Sequence, residues 1–212
     1  MGHRPPDATE VRATYAEAAA RYDRAQRDGD RHRKTEVIEA PLRELARRAR
    51  RLLDLGAGTG RLLRETGRPD GIALDFSIEM LRAGGSGRRV CADAQRLPFA
   101  DHSFDGIIAA GGVFRYLDYA RAFAECARVL APGGRLGVHQ FAEWTRSLRT
   151  LVARPPAPSG LHVSNLADLA EPARGAGLAL VRAHFWRSTR LSPLPMPRWG
   201  QLWTQCVAIF ER

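Results

Sequence analysis

The sequence predicts an α/β protein built on a doubly wound, mainly parallel sheet. Strand and helix patterns alternate between residues 51 and 141, and such alternation builds a parallel sheet with helices on both faces. The strands expected near 178–187 and 202–210 are joined by a proline-rich piece too short for a crossover helix, so they should pair antiparallel. We therefore predict a seven-stranded sheet that ends in a C-terminal antiparallel hairpin.

Two helices are predicted ahead of the sheet. Over residues 7–23, apolar side chains recur on one face at helical spacing, namely Val11, Tyr15, Ala18, Ala19 and Tyr22. A polar stretch, DRAQRDGDR, precedes a second helix over about residues 32–49. Pro41 should kink this second helix or start a new helical segment.

The sheet region divides into short strands and helices. Strands are expected near 51–55, 71–75, 88–91, 104–110 and 134–141, and helices near 59–66, 77–83 and 118–130. Pro132-Gly133-Gly134 should end the last of these helices and turn the chain into the fifth strand. Residues 142–163 are predicted to be irregular, and a short helix is expected near 165–176.

A glycine-rich turn joins the first strand to the helix after it. In LLDLGAGTGRLL, residues 52–63, the apolar strand reaches Asp54 and three alternate glycines follow. Glycine is used where the chain turns sharply or a ligand approaches the backbone. A strand, a glycine turn and a helix in this order form a nucleotide pocket at the strand's carboxyl end. The second strand ends on Asp75, 21 residues after Asp54, about the spacing at which an acid meets a ribose hydroxyl.

The spacing of the glycines indicates which ligand the turn holds. Dinucleotide sites use G-x-G-x-x-G and place a pyrophosphate at the helix N-terminus. Here the pattern is G-x-G-x-G, Arg61 replaces the last glycine, and Asp54 would repel a pyrophosphate. An acid at this place suits a ligand with a cationic end, such as the amino group of an amino acid. An NAD-type cofactor is therefore the less favoured alternative.

Composition and charge narrow the class of protein. With 212 residues, of which 44% are hydrophobic and 26% charged, the chain is expected to form one globular domain. It has no apolar run of membrane-spanning length, no secretory signal in MGHRPPDATE and three scattered cysteines, so we expect a cytoplasmic protein. No metal site is expected, because no residues show metal-ligand spacing.

The net charge of +10 raises the question of a nucleic-acid partner. Lys34 is the only lysine, and the arginines are spread along the chain apart from a cluster within residues 47–51. A solvated basic surface is the simpler interpretation, and a functional anionic partner stays open as an alternative.

The glycine turn resembles motif I of the class I S-adenosylmethionine-dependent methyltransferases, in the small-molecule group that includes menaquinone- and ubiquinone-type enzymes. The resemblance extends from about Tyr15 to Ala142. It implies a Rossmann-like sheet, S-adenosyl-L-methionine as cofactor and S-adenosyl-L-homocysteine as product. It also implies a set of cofactor-binding residues around the turn, namely Asp54, Gly56, Ala57, Gly58 and Gly60.

Two motifs downstream extend this resemblance. LDFSIEML is similar to the family's LDxSxxML, which implies that Asp75 holds both ribose hydroxyls, beside Ser77 at a helix start. The same motif implies that Phe76 and Met80 pack against adenine. CADAQRLPFADHSFDGI is close to the family's xADAxxLPFxDxSFDxV, which implies that Asp93 contacts the adenine amino group, with Ala94 beside it.

The fourth strand runs into AAGGVFRYL, which should lie near the sulfonium. Relatives that act on amino groups of adenine or glutamine often carry Asn-Pro-Pro-Tyr or Asp-Pro-Pro-Tyr here, and this chain does not, which argues against such a substrate. Ala110 and Phe114 are expected to contact the cofactor. Arg115 stands where many relatives have histidine, and a fixed cation suits an acidic substrate. An arginine snorkelling from the rim is the alternative.

The N-terminal helix resembles the lid of the same family. YAEAAARYDR is similar to the signature Y-x-x-x-A-x-x-YD, whose helix closes over the cofactor, so Tyr15 and Tyr22 are expected to bind it. A plain core helix is the alternative. We accordingly divide the single domain into lid helices (1–49), a cofactor-binding core (50–141) and a substrate-side insert with the terminal strands (142–212).

The candidate catalytic residues are His139, Arg115 and Tyr22. His139 lies near the carboxyl end of the fifth strand and should face the cleft, whereas Gln140 should point the other way. A satisfied core histidine is the alternative. Methyl transfer is an in-line displacement that depends mainly on positioning, and it needs a base only if the nucleophile starts protonated.

We therefore expect an S-adenosylmethionine-dependent methyltransferase that acts on a small acidic or aromatic molecule. Nucleic acid is not the expected partner, and the oligomeric state is left open, with a homodimer as one option. The alternatives are an RNA- or protein-modifying methyltransferase and an S-adenosylmethionine-binding protein with non-methylating or lost catalysis. Substrate specificity is expected in the loops, which are residues 111–117, 142–163 and 188–200.

Overall fold

Seven strands form one sheet, in a computed structural model that describes residues 7–26, 29–85, 87–141, 166–186 and 205–212. The strands are β1 (Leu52–Leu55), β2 (Ile72–Asp75), β3 (Arg88–Cys91), β4 (Phe104–Ala109), β5 (Leu130–Phe141), β6 (Ala179–Trp186) and β7 (Gln205–Glu211). The helices are α1 (Ala8–Gln26), α2 (Gly29–Arg48), α3 (Arg61–Glu65), α4 (Ile78–Ala83), α5 (Tyr119–Val129) and α6 (Leu166–Gly175). A short 3-10 helix (Val113–Tyr116) follows β4.

The strand order is β3-β2-β1-β4-β5-β7-β6. Strands β1 to β5 pair in parallel, and β7 pairs antiparallel with both β5 and β6. The predicted mainly parallel sheet with a terminal antiparallel hairpin is thus confirmed. Because the chain winds outward from β1 in both directions, a crevice opens at the carboxyl ends of β1 and β4.

Helices cover both faces of this sheet. On one face, α2 packs its apolar side over β4, β5 and β7, with Leu42 and Leu45 against Ile108. On the other face, α5 and α6 contribute Phe123 and Leu169 to the larger core. The N-terminal helix α1 packs mainly on α4. No helix within the described ranges is both long and apolar enough to cross a membrane.

Three boundaries differ from the prediction. Helix α1 extends to Gln26 and α2 starts at Gly29, so most of the predicted polar hinge is helical. Helix α2 also continues through Pro41, since burial of Ile38 and Leu42 on the sheet stabilises the turns on either side. Strand β5 starts at Leu130, four residues before the predicted 134, because Leu130 already pairs with Phe104 ahead of a bulge.

The remaining predicted elements agree closely with the structure. The short helix expected near 165–176 is α6, and the two terminal strands are β6 and β7. The irregular segment predicted over 142–163 and the proline-rich piece between β6 and β7 lie outside the described residues.

Candidate functional site

A cavity of about 190 Å³ lies at the carboxyl ends of the parallel strands. Its wall contains the residues that directly follow β1, β3 and β4, which are Gly56, Ala92 and Ala110. A volume of this size is far more than one water molecule needs. The crevice beyond the strand ends of a doubly wound sheet is where such folds bind their ligands.

The cavity brings together most of the residues predicted to bind the cofactor. These are Tyr15, Tyr22, Gly56, Gly58, Asp75, Phe76, Met80, Asp93, Ala94 and Ala110. Five predicted residues are not in its wall, namely Asp54, Ala57, Gly60, Ser77 and Phe114. The wall also contains residues that were not assigned to the cofactor, namely Ala8, Val11, Leu74, Ala92 and Gln95, and four from the predicted specificity loop 111–117, which are Gly111, Val113, Tyr116 and Leu117.

Asp75 fastens the glycine turn to the end of β2. Its Oδ2 accepts a hydrogen bond from the Gly58 backbone N–H at 2.8 Å, and its Oδ1 accepts one from the Ser77 N–H at 2.9 Å. Burial raises the pKa of Asp75, and these backbone donors act in the opposite direction. Each carboxylate oxygen keeps a further lone pair, so the group can still accept from a ligand in the cavity.

The turn itself leaves space that a side chain would fill. Gly58 has a φ of +56°, and a Cβ atom there would lie 2.9 Å from Met80 Cε. At Gly56, with a φ of +68°, a Cβ atom would run into Val113. The glycines therefore let α4 and the loop after β4 close in on the turn.

Ser77 supports the cavity without contacting it. Its Oγ accepts a hydrogen bond from the Met80 N–H at 3.2 Å and so caps the start of α4. Ser77, which was predicted to belong to the cofactor-binding set, is completely buried and lies outside the cavity wall, where it holds the start of α4 and so the position of Met80.

Asp54 lies behind the turn and not in the cavity wall. It is 2% exposed, and its Oδ2 has no hydrogen-bond partner among the described residues. Burial raises the pKa of Asp54 to about 7, while the nearby Arg61 guanidinium acts in the opposite direction. A cationic group of a ligand would compensate this buried carboxylate. Ala57 and Gly60 also lie outside the wall, because they form the far side of the turn.

Arg61 belongs to a buried ionic cluster between α2 and α3. Its guanidinium lies 2.7 Å from Glu39 and 2.8 Å from Glu65, and Arg43 contacts the same two carboxylates. Burial raises the pKa of Glu39 against the effect of the two arginines. The cluster fixes the helix that follows the glycine turn and places a positive charge near Asp54.

The 3-10 helix after β4 turns Phe114 away from the cavity. Phe114, predicted to contact the cofactor, has its side chain fully buried in the core and outside the cavity wall, with its ring centroid 4.8 Å from that of Phe123. The neighbouring side chains Val113, Tyr116 and Leu117 line the cavity instead. A 3-10 turn has three residues, so Val113 and Tyr116 share a face that Phe114 does not.

Three tyrosines meet where α1 approaches this 3-10 helix. The ring of Tyr15 lies 5.9 Å from Tyr116 in an edge-on arrangement and 6.3 Å from Tyr22. The hydroxyls of Tyr15 and Tyr116 are 3.1 Å apart. Arg115 donates from Nη2 to the Tyr116 hydroxyl at 2.5 Å, and its guanidinium carbon is 4.7 Å from the Tyr116 ring centre. Helix α1 is thereby joined to the loop after β4 over the cavity.

His139 is buried and engaged at both ring nitrogens. Its Nδ1 accepts from the Gly111 N–H at 3.2 Å, so Nε2 carries the proton and donates to Gln205 Oε1 at 2.9 Å. Burial lowers the pKa of His139 to about 4. Gln140 lies on the other face, as predicted, and contacts the Tyr119 hydroxyl. His139 is not in the cavity wall, an arrangement that fits the core-histidine alternative better than a side chain facing the cleft.

Comparisons with known proteins point to one family. The family model described as "Methyltransferase domain" matches residues 53–138. A demethylmenaquinone methyltransferase of Corynebacterium urealyticum is 40% identical over 96 residues, which cover 43% of this chain and 42% of that protein. The chain thus spans less than half the length of this curated relative.

Solved structures show the same fold. An S-adenosylmethionine-dependent methyltransferase of Methanosarcina mazei superposes with a TM-score of 0.58 at 19% identity, covering 76% of this chain and 92% of that one. The [4+2]-cyclase SpnF superposes with a TM-score of 0.52 at 26% identity, covering 64% of this chain and 53% of that one. Residues 53–138 match the methyltransferase domain, and the relatives and the strand order likewise support a class I S-adenosylmethionine-dependent methyltransferase with S-adenosylmethionine as its cofactor.

Proposed function

We propose that this chain transfers a methyl group from S-adenosylmethionine to a small aromatic acceptor of the quinone or quinol type. The observation that carries the proposal is one cavity in which Asp75, Asp93 and the glycine turn meet the aromatic face of α1. The relatives that are demethylmenaquinone methyltransferases support the class of acceptor.

The residues present fit the cofactor of the family. We assign Asp75 to the ribose hydroxyls, because it lies in the wall and its oxygens have spare lone pairs. Asp93 and Ala94 are assigned to adenine, beside Phe76 and Met80. We assign the amino group of the methionine tail to the side of the turn nearest Asp54, because a cation there would stabilise the buried Oδ2 of that residue.

S-Adenosylmethionine supplies a methyl group on a sulfonium: an electron pair of the acceptor bonds to the methyl carbon while the carbon–sulfur bond breaks, and the sulfur keeps its electrons. The chain's own contribution is then to bind, orient and exclude water. The glycine turn, Asp75 and Asp93 orient S-adenosylmethionine. Tyr15, Tyr22 and Tyr116 form an aromatic wall for the acceptor. Helix α1 reduces access of water to the cavity.

A small acceptor suits this geometry better than a polymer. The cavity lies between α1 and the sheet edge, and its wall is mostly apolar, with Val11, Val113 and Leu117 beside the tyrosines. A nucleic acid would need a basic groove leading to the cavity. The RNA-modifying alternative therefore requires binding to single-stranded RNA that weakens steeply with salt.

The test is a product assay with a defined probe. The chain is incubated with S-adenosylmethionine and 1,4-naphthalenediol, and both S-adenosylhomocysteine and methylated naphthalenediol are measured by mass spectrometry. We expect the two products in equal amounts, and a large loss of both in Asp75→Ala. S-Adenosylhomocysteine formed without methylated probe, or neither product from a chain that binds S-adenosylmethionine, would count against this class of acceptor.

A second candidate is a non-methylating role in the same cavity. It is favoured by the [4+2]-cyclase, whose structure is 26% identical to this chain over the superposed region. In that case the chain would bind S-adenosylmethionine and leave its methyl group in place. Conversion of a tested acceptor without formation of S-adenosylhomocysteine would support this candidate over methyl transfer.

A further inference from the structure

The hydroxyl groups of Tyr15 and Tyr116 carry two hydrogen atoms, and the hydrogen bond between them uses only one. Their oxygens are 3.1 Å apart, and either hydroxyl can be the donor. Arg115 can only donate, so the Tyr116 oxygen already accepts from Nη2 at 2.5 Å. Whichever tyrosine donates to the other, the second hydroxyl hydrogen is directed elsewhere. Both tyrosines line the cavity, so that hydrogen is within reach of a ligand there.

The arrangement makes this hydrogen a strong donor. A guanidinium that donates to a phenol oxygen polarises its O–H bond, and hydrogen bonds in such a chain strengthen one another. Arg115 also lies over the Tyr116 ring, with 4.7 Å between the guanidinium carbon and the ring centre. Burial and the neighbouring hydroxyl of Tyr116 raise the pKa of Tyr15, so Tyr15 stays protonated at neutral pH and acts as a donor.

The charged groups of the site are separated along the cavity. The acids in its wall are Asp75, the last residue of β2, and Asp93, on the loop after β3. Arg115 lies at the other end, in the 3-10 helix after β4, and its charge reaches Tyr15 on α1 and His139 on β5. The β4 end of the cavity is therefore suited to a partly or fully negative oxygen.

His139 is not placed to serve as a base at this end. Both of its ring nitrogens are engaged, and it lies outside the cavity wall. An acceptor that arrives already ionised needs no base, because no proton has to leave during methyl transfer.

From this geometry we infer that the Tyr15–Tyr116 hydroxyl pair, supported by Arg115, binds an anionic oxygen of the acceptor. The acceptor class is an aromatic molecule with an ionised hydroxyl, as a phenolate or enolate. Tyr15 and Tyr116 contact the oxygen, and Arg115 is a positioning residue that acts through Tyr116. The inference rests on the proposed function and names the ionisation state of its acceptor.

The experiment uses 4-nitrophenol as probe, with 4-nitroanisole as a matched molecule that cannot ionise. Binding to the full chain is measured at saturating S-adenosylhomocysteine, after binding of S-adenosylhomocysteine itself has been established. We expect the nitrophenolate to bind about tenfold or more tightly than nitroanisole. The absorbance of bound probe should also show a lower apparent pKa for 4-nitrophenol than in free solution.

Variants distinguish binding by the Tyr15–Tyr116–Arg115 group from a general attraction of the anionic probe to positive charge. Tyr116→Phe and Arg115→Gln should each abolish the preference for nitrophenolate and the change in probe ionisation, while Arg115→Lys retains part of both. Arg121→Gln, which removes an exposed arginine on α5, should behave as the unmodified chain. Because the readout is the ratio of two affinities, it does not depend on a small loss of stability in any variant.

Each outcome decides between the proposals. If S-adenosylhomocysteine does not bind, the proposed function fails. If it binds but the two probes bind equally, or neither shows saturable binding, the anionic-acceptor inference is wrong and the proposed function stands. A preference for nitrophenolate that survives in Tyr116→Phe and Arg115→Gln also overturns the inference, because another cation would then hold the oxygen.

Discussion

Arg61 holds the Glu39 carboxylate across the contact between α2 and α3, with Nη2 at 2.7 Å from Oε1 and 2.9 Å from Oε2. Arg61 directly follows the glycine turn, at the position where a dinucleotide-binding turn has its last glycine. The presence of Arg61 at this position of the sequence is evidence against a pyrophosphate-binding turn. In the structure, Arg61 connects the end of the glycine turn to α2 and places a positive charge near Asp54.

Removing Glu39 should destabilise the fold strongly. The Glu39 side chain is 2% exposed, and Glu39→Ala removes the more buried of the two carboxylates that Arg61 and Arg43 share, leaving both guanidinium groups on Glu65. We expect a loss of about 3 kcal/mol in the free energy of unfolding, measured by urea denaturation. Glu44→Ala, which removes an exposed pair with Arg48, should cost less than about 0.5 kcal/mol. Equal losses in the two variants would contradict a structural role for the cluster.

Gly84 should tolerate no side chain, although its φ of −80° suits any residue. A Cβ atom there would run into the backbone carbonyl of Thr59 in the glycine turn. We expect Gly84→Ala to lower the free energy of unfolding by about 1–3 kcal/mol and to weaken cofactor binding, because the turn must shift. Gly175→Ala on α6 meets no atom within 4 Å and should be neutral or slightly stabilising. Intact cofactor binding in Gly84→Ala would show that the turn does not depend on this contact.

Asp54 should make the ligand-free chain less stable as the pH rises. Its pKa is about 7 in the fold against an ordinary value of 3.8, so between these values the folded chain keeps a proton that the unfolded chain has lost. Stability from this group is therefore present at low pH and is lost as the pH rises toward 7. We expect Asp54→Asn to be more stable than the unmodified chain at pH 8, by on the order of 1–3 kcal/mol, and to bind S-adenosylmethionine more weakly. Thermal unfolding without ligand at pH 5.5 and pH 8 checks the first effect, and a variant that is less stable at pH 8 would refute it.

His139 should make the chain less stable as the pH falls, the opposite of the effect expected for Asp54. Its pKa is about 4 in the fold against an ordinary value of 6.5, so in this interval the unfolded chain binds a proton that the folded chain does not. The contribution of neutral His139 to the free energy of unfolding is therefore lost as the pH falls from 6.5 to 4. Nuclear magnetic resonance of ¹⁵N-labelled imidazole should find His139 neutral at pH 5.5, with the proton on Nε2. A charged ring at that pH, or a proton on Nδ1, would contradict the arrangement with Gly111 and Gln205.

The fold followed from patterns that are local in the sequence. Each strand of the parallel core could be placed from a short apolar run, and the antiparallel hairpin followed from the length of its connection. The boundaries that were wrong depend on contacts between distant residues. Leu130 joins the sheet early because Phe104 lies beside it. Of the two outcomes predicted for Pro41, a kink and a new helical segment, the structure shows no new segment, because α2 is continuous through Pro41.

The site was predictable where a motif fixes both residue and place. Asp75, Asp93, Gly56 and Gly58 lie around one cavity because parallel strands end at one sheet edge. Phe114 lies outside the cavity wall because a 3-10 turn after β4 rotates neighbouring side chains differently from an extended loop. Tyr116 was expected near the sulfonium, but its contact with Tyr15 was not predicted, since the contact joins segments 101 positions apart. The division of the chain into lid, core and insert stays a prediction.

The central claim is that this cavity binds S-adenosylmethionine through Asp75. Isothermal titration calorimetry of the full chain with S-adenosylmethionine and with NAD tests it most directly. We predict saturable binding of S-adenosylmethionine and no binding of NAD. The affinity for S-adenosylmethionine should fall about tenfold or more in Asp75→Asn. It should be unchanged in Asp101→Asn, which alters an exposed carboxylate. Binding of NAD in its place, or full affinity in Asp75→Asn, would contradict the account.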